Sequence, residues 1–233
     1  MIFLWSAVIS IAGLIADVLF IKSEYDGKMV KATVLKGIAS LFFVILGVIC
    51  WTYGKPEIGM LIVIGLVLGM VGDILLNMRN LYEGKKSNRI FALGILAFLS
   101  GHFMYIAFLI KNTYNPLPIG LILTAVLSVM AIPPLMKSIN APSKGLKIFG
   151  YVYLVIVIAM FSFATSMICN NGLSELSVVF EIGALLFVAS DFIMIYYSFG
   201  RKIKPLRAIN LIAYYIGQLL IAFSILLLVR TLF

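Results

Sequence analysis

The sequence predicts an all-α, polytopic membrane protein of eight transmembrane helices, and three observations carry that prediction. Of 233 residues, 63% are hydrophobic and only 12% charged, with a mean hydropathy of +1.15; a soluble domain is about half apolar and about a quarter charged. Apolar runs of about 20 residues recur, each long enough to cross a hydrocarbon core of about 30 Å as helix. The runs are continuously apolar rather than alternating, which excludes a closed barrel of strands. Too little sequence lies outside them for a soluble domain, so residues 1–233 are read as one integral-membrane domain.

The spans run over residues 2–21, 33–53, 58–78, 91–110, 117–136, 148–169, 176–197 and 208–229. The first opens on Met1-Ile-Phe-Leu-Trp5, with no basic segment before it and no small-residue cleavage site after it; it reads as a span, not a removable signal. The longest connections are Lys22–Ala32, before the second span, and Asn77–Ile90, after the third. The third carries Gly65, Gly69 and Gly72, a series suited to close helix packing. The fourth holds the only histidine, His102. Asn115-Pro-Leu-Pro118 starts the fifth, and Pro133-Pro134 near its far end should kink or stop it. Pro205 precedes the eighth. Cys50 and Cys169 fall near the outer ends of the second and sixth and are read as unpaired packing residues rather than a disulfide.

The formal charge of +9 is a topology signal, not a sign of nucleic acid. Fifteen of the eighteen basic residues, among them Lys31, Lys36, Arg79, Lys144, Lys147, Lys202 and Arg207, are assigned to loops after odd-numbered spans. The opposite side has only Lys55, Lys111 and Arg230. This bias puts both termini outside and the basic loops in the cytoplasm, in a cell membrane read as a bacterial plasma membrane.

Spans three and seven run in the same direction, and each carries a small residue, an aspartate and an apolar run: Gly72-Asp73-Ile-Leu-Leu76 and Ser190-Asp191-Phe-Ile-Met194. The following span has a central polar residue in each case, His102 or Gln218. This echo suggests a four-plus-four repeat. A carboxylate in hydrocarbon costs several kcal/mol, so an intramembrane acid reads first as a working site. At ~1.5 Å per residue, Asp17, Asp73 and Asp191 lie ~6, ~7 and ~9 Å inside their helix ends, at similar depth.

Asn77 stands one turn below Asp73, and Asn210, Tyr214 and Gln218 form a polar stripe. These faces, with Ser6, Ser10, Gly13 and Asp17, should turn inward around a wet cavity open to the cytoplasm. Asn77, Ser190 and Asn210 read chiefly as interhelical glue. For Asp17 function stands beside snorkelling to the interface or pairing with a loop lysine. For His102 packing or orientation outweighs a proton shuttle.

One histidine and two remote cysteines cannot furnish a zinc centre. No Gly-x-Ser-x-Gly elbow or P-loop is present, and no cofactor is called for. Two carboxyls in one low-dielectric pocket cannot easily both be charged, so Asp73 and Asp191 are expected to face each other and divide a proton, one acting as acid and one as base. That suits an acid-labile ether whose cation is resonance-stabilised.

Several segments resemble the YhhN-like lysoplasmalogenases, polytopic membrane enzymes. They are Gly72-Asp73-Ile-Leu-Leu76 with Met78; Gly94-Ile-Leu-Ala-Phe98 running into Gly101-His102-Phe-Met-Tyr105; Gly183-Ala-Leu-Leu-Phe187 running into Ser190-Asp191; and Tyr214-Tyr215-Ile-Gly-Gln218. Tyr153 and Met160 also fit. Where the family shows Lys-Pro at the mouth of helix two, this chain has Lys31-Ala32, with Lys36 further on. The resemblance implies hydrolysis of the vinyl ether bond of lysoplasmalogens, lysophospholipids taken from the bilayer, to a fatty aldehyde and a glycerophospho-base. It makes Asp73 and Asp191 the catalytic candidates. His102, Tyr105, Tyr214 and Gln218 become positioning candidates, and Lys31 or Lys36 would meet the lipid phosphate. The rival expectation is a proton-coupled transporter or lipid-handling protein using the same acids.

Overall fold

In hydrocarbon an apolar segment must satisfy its own backbone polar groups, which makes helix the accessible form for each of these runs. The computed structural model describes residues 2–140 and 144–232, with side chains for all but 144–146, 231 and 232. Of the residues singled out above, Met1 and the Lys144 side chain lie outside that description. The helices are α1 Ile2–Tyr25, α2 Met29–Gly54, α3 Gly59–Met78, α4 Gly84–Asn112, α5 Leu117–Lys137, α6 Lys144–Asn171, α7 Glu175–Phe199 and α8 Lys204–Leu232. A 3-10 turn, Arg79–Leu81, links α3 to α4. All eight are long and apolar enough to span a membrane, and no strand occurs among the described residues. The chain is therefore an all-α polytopic protein, as its sequence predicts.

The helices overrun the predicted spans mainly at the basic end. α1 continues to Tyr25, α4 begins at Gly84 and α8 at Lys204. An apolar window measures the hydrocarbon, whereas Lys, Glu and Arg remain good helix formers once hydrated beyond it. The two long loops shrink accordingly. The first is a turn at Asp26-Gly27-Lys28, where Gly27 takes a φ of +73°, open to a residue without Cβ. The proline pair does not stop α5, which passes through Pro133 and Pro134 to Lys137. The carbonyls that lose a donor are four residues back, on Val129 and Met130. Both residues lie on the exposed side of a peripheral helix, where the chain can bend without disturbing a neighbour.

α8 is the most buried helix, and α1 and α5 are the least. α8 packs on α7, α2, α1 and α3, while α5 packs chiefly on α6. Two glycine crossings set the centre. A Cβ on Gly101 would meet the Gly65 carbonyl oxygen at 3.0 Å, and one on Gly183 would meet that of Gly217 at the same distance. α3 thus lies against α4, and α7 against α8, each pair touching eight residues before an aspartate, Asp73 or Asp191. The cysteines are free; Cys50 is buried near the Ser6 hydroxyl, at 4.0 Å, whereas Cys169 is exposed rather than packed.

Candidate active site

Asp73 of α3 is buried, and two neighbouring helices, α2 and α8, bring three donors to it. From α2, the Lys36 ammonium lies 3.0 Å from Oδ1, and the Ser40 hydroxyl donates to Oδ2 at 2.7 Å. From α8, the Tyr214 hydroxyl donates to Oδ2 at 2.8 Å. The sequence prepares this: Lys36 and Ser40 are four residues apart on one face of α2, as are Tyr214 and Gln218 on α8. Further donors hold those groups. Tyr105 of α4 donates to Gln218 Oε1 at 2.9 Å, and Gln218 Nε2 donates to the Tyr214 oxygen at 3.2 Å. The Ser40 oxygen, its proton given to Asp73, lies 3.1 Å from the Tyr215 hydroxyl. The buried ion pair is thus wrapped in hydrogen bonds, the condition under which such a pair is tolerated.

Asp191 has a different setting. It is also buried, but among the described residues it joins no ion pair. Among the described residues its side-chain donor is the Tyr153 hydroxyl of α6, at 2.7 Å to Oδ2. Among the described residues no hydrogen bond joins Asp73 to Asp191, and each has its own donors. Aromatic rings stand between these donor sets. Tyr214 contacts Phe187 at 5.2 Å between centroids, Phe187 contacts His102 at 4.7 Å, and His102 contacts Tyr153 at 5.9 Å. His102 Nδ1 lies 2.8 Å from the Phe98 carbonyl, which can only accept, so Nδ1 carries hydrogen. Its buried Nε2 has no hydrogen-bond partner among the described residues. The ring is held by packing and one backbone bond, with its other nitrogen facing no partner among the described residues.

The other candidates divide. Asp17 neither snorkels nor pairs with a loop lysine. It is 1% exposed, and its Oδ1 lacks a partner among the described residues. Asn77 donates to Thr33 Oγ1 at 3.0 Å and ties α3 to α2. Asn210 donates to the Ser190 carbonyl at 2.6 Å, tying α8 to α7 just before Asp191. The Ser190 hydroxyl turns back to the Phe187 carbonyl of its own helix. Ser6 lies against Cys50 and is not on the wall of the cavity beside Lys36 and Tyr153. Lys31 is exposed and lies off the cavity wall.

Lys36 was assigned to a loop and to lipid phosphate; its ammonium instead belongs to Asp73, inside the bundle. Arg207, also assigned to a loop, lies within α8 and grips Glu24 of α1 with Nε and Nη2, at 2.8 and 3.0 Å. Sequence reasoning missed Ser40, Tyr215 and the Glu24–Arg207 pair. A lysine within an apolar span was the available signal, since it too must find a partner.

A cavity of about 350 Å³ lies at the basic end of the bundle. Apolar side chains, among them Phe98, Ile95, Met136 and Met194, form much of its wall; Arg79, Lys147 and Lys202 stand near the helix ends. Lys36 and Tyr153 line it as well. These are the donors to Asp73 and Asp191, so both acids stand directly behind the wall of one cavity.

Fold and site define a multi-pass helical membrane protein with two buried acids, unlike in their support, behind a cavity of mixed apolar and cationic character. The YhhN family model matches residues 29–225, most of the chain, and the chain belongs to that family. The match reaches back through α2, taking in Lys36 and Ser40, while α1 with Asp17 lies outside it. Family membership is consistent with a membrane hydrolase. Comparison with curated proteins and with solved structures returns no match.

Proposed function

We propose that this protein hydrolyses the vinyl ether bond of lysoplasmalogens, with Asp191 as the acid and Asp73 as the stabilising carboxylate. The observation that supports this reading is the unlike support of two acids bordering one cavity. Asp73 is matched by a cation and two hydroxyls; Asp191 has a phenol alone. An acid that must hand over a proton is best kept away from cations, and a carboxylate that must stay charged is best kept beside one.

The atoms balance without a cofactor. The carboxyl of Asp191 gives its proton to the β-carbon of the enol ether, and an oxocarbenium ion forms at the α-carbon. Water adds there and returns a proton to the Asp191 carboxylate, giving a hemiacetal. The carbon–oxygen bond to glycerol then breaks as that oxygen takes the hydroxyl proton, releasing an aldehyde and a glycerophospho-base. Asp73 lies in the same low-dielectric region, where a fixed negative charge favours the cation more than it would in water. Tyr153 and Tyr214 hold the carboxyls in register, and the rings between them exclude stray water. The basic loops are taken to face the cytoplasm of a bacterial plasma membrane, so substrate enters from that leaflet.

The test is aldehyde release by the purified protein in detergent. D73N and D191N should each lower turnover by about 10²–10⁴-fold, the usual worth of a positioned acid or base. Full activity in either variant removes that residue from the mechanism. If the wild type releases no aldehyde but drives acid-dependent proton flux in liposomes, the transporter reading replaces this one.

A further inference from the structure

Five cations line the cavity, and two are neutralised from within: Lys36 by Asp73 and Arg207 by Glu24. Arg79, Lys147 and Lys202 have no acid partner among the described residues. Arg79 is the best defined. Its guanidinium is half-buried, with Cζ stacked 4.3 Å from the Phe91 ring centroid. Stacking fixes the plane and leaves the N–H edges free, the arrangement that suits paired hydrogen bonds to phosphate. The one carboxylate on the wall, Glu24, is already gripped by Arg207. The cavity mouth therefore carries unmatched positive charge above an apolar interior.

We propose that Arg79, supported by Lys147 and Lys202, is the phosphate-binding subsite for the headgroup of a single-chain ether phospholipid, a role that rests on the reading above. Spacing agrees with it. Arg79 follows Asp73 by six residues, and Lys147 precedes Tyr153 by six, which at a helical rise is ~9 Å from mouth to acids. In the lipid, about seven bonds separate phosphorus from the carbon that takes the proton, also ~9 Å when extended. A phosphate held by Arg79 thus sets the vinyl ether level with the two acids. The subsite gives the site a ruler: a lipid anchored by its phosphate presents the bond next to glycerol, whatever its chain length.

The test is binding, which needs no turnover. The probes are a saturated alkyl-ether lysophospholipid and the matching alkylglycerol without phosphate, titrated into wild type, R79Q, R79K, K202Q and K31Q in detergent. Wild type should prefer the phospholipid by at least tenfold. R79Q should cut that preference by about tenfold or more, the worth of a charge-assisted pair, while its affinity for the alkylglycerol stays put. R79K should recover part of the loss, K202Q should show a smaller one, and raised salt should shrink the preference. K31Q, off the cavity, should match wild type. An unchanged preference in R79Q, or equal weakening toward both probes, overturns the proposal. Competition by inorganic phosphate as strong as that of the lysophospholipid overturns the lipid assignment. If R79Q does not fold, K202Q and the salt series decide. A wild type that binds both lipids as expected but leaves vinyl ethers intact would sink the hydrolase reading and spare this one.

Discussion

Replacing Lys36 by methionine leaves the Asp73 carboxylate buried with two hydroxyl donors and no counter-charge. Replacing Asp73 by asparagine strands the ammonium instead, 7% exposed. Breaking a buried pair from one side costs about 3–5 kcal/mol. A limit comes from neutralisation: at pH 7 an ordinary aspartate gains a proton, or an ordinary lysine loses one, for about 4–5 kcal/mol. Each single variant should therefore melt roughly 6–20 °C below wild type, at 2–4 °C per kcal/mol for a chain of this size. The double variant K36M/D73N removes both charges and should return to within ~2 kcal/mol of wild type, because apolar replacements of a buried pair are often neutral. Thermal unfolding of the four proteins in one detergent, followed by tryptophan fluorescence, closes the cycle. The double variant should be stable yet inert toward vinyl ether. Additive losses, with the double variant the weakest, would refute the pairing and with it the account of how Asp73 is held.

Tyr153→Phe removes the hydroxyl that donates to Asp191 and should lower kcat by about 10–100-fold with KM within about twofold, as for a hydrogen bond to a charged group; an unchanged kcat would free Asp191 from Tyr153. Gly183→Ala drives a methyl to 3.0 Å from the Gly217 carbonyl oxygen, so α7 and α8 must part; a drop of several degrees in melting temperature is expected, on the order of 1–3 kcal/mol for overpacking, and no drop would mean the crossing is loose. Chelators should leave turnover unaltered, and strong inhibition by them would reopen metal chemistry. Reporters fused to the two termini should both read outside, and a cytoplasmic signal from either would invert the assigned face of the cavity.

What was legible and what was not follow one rule of cost. Asp73 and Asp191 stood out because a carboxylate in an apolar run needs a reason. Lys36 lies in an apolar run too, within the predicted span 33–53, and the same cost applied to it. Counted among loop cations, it lent a false vote to topology and hid the partner of Asp73. Arg207 was hidden in the same way, because the apolar window began four residues after the helix does. Helix number and order were readable since each helix satisfies its own backbone. Which faces meet was not: Tyr214 reaches Asp73 across 141 residues and Tyr153 reaches Asp191 across 38. Those contacts are made only when helices far apart in sequence pack, and a glycine in sequence shows that something approaches without showing what.

If Asp73 and Asp191 work as proposed, their unlike settings change the physical basis of the division of labour. A dyad splits roles by mutual repulsion, so either member can take the proton and the pair titrates as one. Here the surroundings differ before any proton moves: an ammonium and two hydroxyls at one acid, a phenol at the other, with the Phe187 and His102 rings between their donors. Under the proposed mechanism the roles would be assigned by these fixed surroundings rather than by which acid happens to hold the proton. On the proposed mechanism this has a consequence for variants. In a dyad, loss of one acid also disturbs the other. In this arrangement D191N should leave the Lys36–Asp73 pair and its stability intact while turnover goes, whereas D73N should lose both. The two aspartates, alike in sequence setting, should be told apart by a melting curve.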